Sequence, residues 1–131
     1  MTEENVERVR TMMSAFRAGD YDRALLAFDS EVEGDFTHMP DGRMTHGRDE
    51  LRREVARWQG TWERFQTEVE DILDGGDEVV LLVRQTGTGR ASRAPSEIRY
   101  GQVFAIENGA IVSMKTYLDQ SEALEAAGLL E

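Results

Sequence analysis

The chain has 131 residues, no cysteine and a formal net charge of −11. That length fits one domain with its own core, burying about two-thirds of the surface the unfolded chain exposes. Without cysteine there is no disulfide, thiolate nucleophile or zinc–thiolate site, and the charge opposes polyphosphate and anionic lipid, so neither nucleic acid nor a membrane is an expected partner. No run approaches the roughly 20 apolar residues of a membrane span and the acidic start, Met1 to Asn5, is unlike a signal peptide, so a soluble, cytoplasmic protein is expected.

In chain order, Val6, Val9, Met13 and Phe16 recur at helical spacing with Met12 beside them, which predicts a helix from a Thr2 cap to about Ala18. Gly19 ends it, and Asp20 can cap a second helix from Tyr21 to about Phe28 that buries Tyr21, Ala24, Leu25 and Phe28. A short strand over Val32 to Met39 and a turn at Pro40-Asp41-Gly42 follow. The third helix, about Arg48 to Gln59, carries Leu51, Val55 and Trp58 on one side and stops at Gly60. Its arginines alternate with Asp49, Glu50 and Glu54, as on a solvated helix face.

From there the pattern is β. Phe65 to Leu73 leads to a turn at Asp74 to Asp77, and the apolar run Val79 to Val83 continues as a strand to Arg90. After a connection over Ala91 to Ser96 comes a hairpin about Asn108-Gly109, the dipeptide suited to a type I′ turn with φ > 0 at both positions. A tight turn sets Glu107 opposite Ala110. Unbroken alternation then places Ile98, Tyr100, Gln102, Phe104, Ile106, Ile111, Ser113, Lys115, Tyr117 and Asp119 on one face. Val103, Ala105, Val112, Met114 and Leu118 fall on the other. The first face mixes aromatics with a few polar groups, as a ligand pocket does. A last short helix, Ser121 to Ala127, takes Ser121 as its cap.

Helices first and antiparallel strands afterwards make an α+β plan, with helices on one face of a curved sheet. The segments Ala-Phe-Arg-Ala-Gly-Asp (15–20), His-Gly-Arg-Asp (46–49), Gly-Asp-Glu-Val-Val (76–80), Val-Phe-Ala-Ile-Glu-Asn-Gly-Ala-Ile (103–111) and Tyr-Leu-Asp (117–119), in that order, resemble the nuclear-transport-factor-2-like superfamily and its SnoaL-like branch. The resemblance implies a cone: a curved mixed or antiparallel sheet wrapped round three N-terminal helices, with an apolar pocket and a short C-terminal helix. It also implies a homodimer through the sheet's outer face, where Val103, Val112, Met114 and Leu118 would otherwise form a bare apolar patch.

Motif matching also says what chemistry to expect. The places of the catalytic groups in ketosteroid isomerase relatives fall on Met12, Met39 and Gln102, none of which can move a proton from carbon, so that activity is excluded. Against limonene epoxide hydrolase relatives, Arg84 and Asp119 match an arginine and one aspartate of the catalytic relay, while its other aspartate falls on Thr86, its tyrosine on Phe36 and its asparagine on His38. Polyketide cyclases of the SnoaL-like branch resemble what remains, with an acid/base aspartate at Asp119. The expected catalytic set is therefore Asp119, Arg84 and His38, or Tyr117 as acid. The ligand wall is Tyr117, Tyr100, Gln102, Phe104, Phe16, Met39, Trp58 and Phe36. No metal or other cofactor is expected, since His38 and His46 alone make no ligand set, and the expected partner is a small hydrophobic molecule. A silent ligand binder and a protein-interaction module are the alternatives within the same fold. In physiological salt we expect no nucleic-acid binding; a salt-sensitive, sub-micromolar affinity for DNA or RNA in a filter-binding titration would contradict this reading.

Overall fold

The computed structural model describes residues 2–129, without the side chain of Thr2, so the cap expected there lies outside the described residues. Three helices, α1 (Thr2–Arg17), α2 (Tyr21–Leu25) and α3 (Gly47–Gly60), precede most of the sheet. The strands are β1 (Phe28–Asp35), β2 (Met44–His46), β3 (Trp62–Asp74), β4 (Glu78–Gly89), β5 (Pro95–Glu107) and β6 (Ala110–Tyr117); α4 (Gln120–Ala126) ends the chain. They form one six-stranded sheet in the order β2-β1-β6-β5-β4-β3, antiparallel except where β1 runs parallel to β6. Register breaks in β1, β3 and β6 bend it, since an extra residue on one strand increases local twist.

The α1 stripe packs as its spacing implies, with Val9, Met12, Met13 and Ala15 buried in the core that the sheet's inner face makes with Phe28, Val32, Val83, Phe104 and Ile111. Asp20 caps α2 by accepting from the Arg23 N–H at 3.2 Å. Phe28 opens β1 instead of closing α2, because α2 stops at Leu25. The strand ends earlier than Met39, where Asp35 accepts from both the Thr37 N–H (2.9 Å) and the Thr37 hydroxyl (2.6 Å), an Asx-type turn that releases residues 36–43 as a loop. Partial burial alone would raise the Asp35 pKa, but the Thr37 hydrogen bonds, with Lys115 and His38 nearby, hold it below the usual value.

The largest departure from the sequence reading lies in the hairpin. The turn is as expected, with Asn108 and Gly109 both at positive φ (51° and 80°) and Glu107 opposite Ala110. One pair further on, Ile106 faces Ile111 but Ala105 faces Ser113, so Val112 is an extra residue on β6. Beyond this bulge the parity reverses. Met114 and Thr116 turn into the core beside Phe104 and Gln102, and Lys115 and Tyr117 turn to the outer face beside Val103 and Gly101.

The outer face is also covered more than expected. There α4 seals a second cluster of Val80, Val103 and Ala123, ringed by Leu73, Leu82, Tyr117, Leu124 and Ala127. It lies close because β5 has a glycine at the crossing: a Cβ at Gly101 would stand 2.5 Å from the Ala123 Cβ. The apolar patch from which a homodimer was expected is thereby reduced, since Val103 lies under α4 and Met114 is interior, leaving Val112 half-buried and Leu118 exposed.

His46 ends β2 and is the N-cap residue of α3, but its side chain makes no cap bond. Its backbone N–H donates to Glu50, and its two ring nitrogens lie 2.6 Å from Glu33 and 2.7 Å from Glu31 on β1. Acceptance of its ring N–H groups by Glu33 and then Glu31 raises its pKa above the ordinary 6.5. A raised folded-state pKa means that the contact stabilises β1–β2 fully below about pH 6.5 and is lost as pH climbs through the folded-state value. An NMR titration of the His46 ring should give a midpoint above 6.5 that falls back in the Glu31→Gln, Glu33→Gln double variant.

Candidate functional site

The concave face of the sheet and the three helices enclose a cavity of about 150 Å³. From α1 come Met12, Met13 and Phe16, and from α2 Tyr21, Ala24 and Leu25. Phe28, Phe36 and Met39 approach from β1 and the loop after it. On α3, Leu51, Glu54, Val55 and Trp58 contribute, and the wall reaches the surface at the exposed Arg52 and Ala56. The sheet supplies Tyr100, Gln102 and Phe104 from β5 with Met114 and Thr116 from β6. All the residues expected to line a pocket are here except Tyr117, which the Val112 bulge turns outward.

The expected acid/base group is not assembled. Asp119 is exposed and accepts from the Ser121 N–H at 2.8 Å, which makes it, rather than Ser121, the N-cap of α4. Arg84 also lies outside the cavity, bonded to Glu97 at 2.8 Å and Glu68 at 3.1 Å in a cross-strand ladder that Arg99 and Glu70 extend. The hydrogen bonds that Arg84 donates to Glu97 and Glu68 raise its pKa further, and the one to Glu97 lowers that carboxyl's, so this guanidinium stays a structural cation. His38 is exposed and stacks on Tyr117, with ring centres 5.2 Å apart; Lys115 Nζ sits 5.1 Å from the same tyrosine ring. None of the three lines the cavity, and Asp119 and Arg84 form no ion pair with each other.

What the sequence reading missed is Glu54. Far from lying on a solvated face, it is 4% exposed in the cavity wall. Its carboxylate takes a two-pronged bond from Arg57, at 2.7 Å from Nη2 and 3.2 Å from Nε, with Arg43 Nε 3.7 Å away. That pairing is what makes its burial tolerable, and it raises the Arg57 pKa. Arg57 Nη2 also reaches the Pro40 carbonyl at 3.5 Å, so the pair ties the 36–43 loop to α3. The signal was present in the spacing, since 54 falls within the Leu51, Val55, Trp58 stripe. Met114 and Thr116 were missed for the different reason of the bulge.

Two further bonds fix the cavity's polar groups. Trp58 Nε1 donates to Gln85 Oε1 at 3.0 Å, which anchors the indole from outside the cavity. Gln102 Nε2 donates to Thr116 Oγ1 at 3.2 Å across the β5–β6 pair. Among the described residues no cluster of three or more histidine, aspartate or glutamate side chains could hold a metal ion, and no helix is long and apolar enough to cross a membrane.

Comparison with solved structures places this architecture. An NTF2-like protein from Burkholderia thailandensis superposes with a TM-score of 0.80 at 23% identity, over 92% of this chain and 95% of that one. A polyketide cyclase candidate from Xanthomonas campestris gives 0.73 at 18%, over 96% and 98%. A ketosteroid isomerase-like fold from Catenulispora acidiphila, in complex with trimethylamine, gives 0.73 at 18%, over 94% and 93%. Among curated proteins, none matches this sequence. The family model of the SnoaL-like domain matches residues 9–114, and the chain accordingly belongs to the SnoaL-like domain family.

Proposed function

We propose that this protein binds a small, largely apolar molecule in the cavity between its helices and the concave face of the sheet. The observation that carries this is the lining: Phe16, Phe28, Phe36, Trp58 and Phe104, with methionines at 12, 13, 39 and 114, surround about 150 Å³. A preformed apolar space of that size, about 150 Å³ in an engineered lysozyme, admits benzene, and methionines let such a wall adapt to the shape that enters. The size favours a single ring or a short branched chain. Trimethylamine in the Catenulispora neighbour is a molecule of comparable bulk.

Binding without turnover is the better supported form. A proton-transfer group has to reach the bound molecule, and Asp119, Arg84 and His38 lie outside the cavity. Among the described residues the carboxylate in its wall is that of Glu54, with both oxygens engaged by Arg57.

Titration with benzene should shift the NMR signals of the Trp58 indole N–H and the methionine methyls at 12, 13 and 114, and should raise the melting temperature. Shifts confined to Val80, Val103 and Leu124 on the outer face, or no shifts at all, would refute the proposal. Asp119→Ala should lower stability by about 1 kcal/mol through loss of the α4 cap while benzene affinity stays within about twofold; a large loss of affinity at unchanged stability would return Asp119 to the site.

A further inference from the structure

Tyr100 is the one ionisable side chain on the sheet wall of the cavity, and it is 8% exposed. Burial pushes its pKa up. Among the described residues its hydroxyl has no hydrogen-bond partner, and yet it is not one of the sealed atoms, as Trp62 Nε1, Thr67 Oγ1 and Gln85 Nε2 are. The hydroxyl is thus reachable, on a side chain that lines the cavity. The buried polar side chains around it are engaged, Thr116 with Gln102 and Glu54 with Arg57, as are Trp58 with Gln85 and Arg52 with Asp22 on α2, while Tyr21 and Gln59, also in the wall, are only partly buried. A buried hydroxyl without a partner is costly unless something that enters supplies an acceptor.

We propose that the Tyr100 hydroxyl is the recognition point for an uncharged oxygen acceptor, a carbonyl or ether oxygen, on an otherwise apolar ligand. This rests on the ligand-binding reading above and adds to it the polar chemistry of the ligand. Tyr100 donates, because a phenol raised by burial keeps its proton through the physiological range. An anionic acceptor does not suit the site: the guanidinium groups of Arg52 and Arg57 are already paired, and the Glu54 carboxylate shares the cavity. Gln102 stands two residues along the same strand on the same face, and its amide Oε1 is left over from the bond to Thr116. A ligand carrying a hydroxyl beside its carbonyl could donate there.

The test is a cycle of two proteins and two probes of nearly equal shape, cyclohexanone and methylenecyclohexane, with affinities measured by NMR titration. Tyr100→Phe should weaken cyclohexanone binding about threefold to tenfold, the loss of one neutral hydrogen bond, and leave methylenecyclohexane within about twofold. Equal effects on both probes, or none on the ketone, would overturn the proposal while leaving the cavity as a binding site. Failure of methylenecyclohexane to bind the unaltered protein would instead remove the ligand-binding reading and this inference with it. A second readout needs no ligand: Tyr100→Phe should melt at the same temperature or higher, because it removes an unpartnered hydroxyl. A lower melting temperature would mean that the hydroxyl has a partner within the protein, and would refute the proposal.

Discussion

In β6, Ile111 and Met114 are three residues apart, so strict alternation would send them to opposite faces, and yet both are apolar and both are needed inside. The bulge at Val112 resolves this conflict. It leaves one residue out of the ladder and turns Ile111, Met114 and Thr116 all toward the helices. Burying a methionine side chain contributes about 1.5–3 kcal/mol, against about 0.5–1.5 kcal/mol for the net worth of one backbone hydrogen bond, so the exchange favours the bulge. The rest of the site depends on it, because the same step decides that Thr116 meets Gln102 and that Tyr117 and Asp119 face away.

The cavity that results is an apolar space whose polar groups come mostly in closed pairs. Each pair has a mechanical role. Glu54 with Arg57 holds the 36–43 loop to α3, and the Gln85 amide keeps the Trp58 indole in the wall. The outer ladder of Glu68, Arg84, Glu97, Arg99 and Glu70 covers the sheet where α4 does not. Exposed ion pairs of this kind add little stability each, but they put charge on the outer face toward β3, the edge strand, where charge discourages another sheet from adding on.

Much of this architecture was legible in the sequence, in specific places. The α1 stripe, the Gly19–Asp20 break, the third helix and the Asn-Gly turn each have a local cause, and each stands where that cause put it. Motif order carried the cone-shaped plan of helices and mixed sheet. The wall from Phe16, Phe36, Met39, Trp58, Tyr100, Gln102 and Phe104 followed from these. What failed was parity beyond Val112, because a bulge built on a β-branched residue leaves no mark such as a glycine. Asp119 and Ser121 are both competent caps, and the choice between them depends on where α4 meets the sheet. Glu54 was misplaced because charge in a charged segment reads as surface, when the partner that lets it be buried is only three residues away.

The crossing of α4 over Gly101 has a consequence for how variation in this protein should be interpreted. Any side chain at 101 would push the C-terminal helix off and uncover Val80, Val103 and Leu82 together on the convex side, a contiguous sticky surface on an otherwise acidic molecule. Such a variant would precipitate or be degraded while the cavity on the concave face remained intact, and a screen that scores only function would record it as a defect of that cavity. Intolerance of substitution at position 101 is therefore a signature of solubility, not of the chemistry on the other side of the same strand.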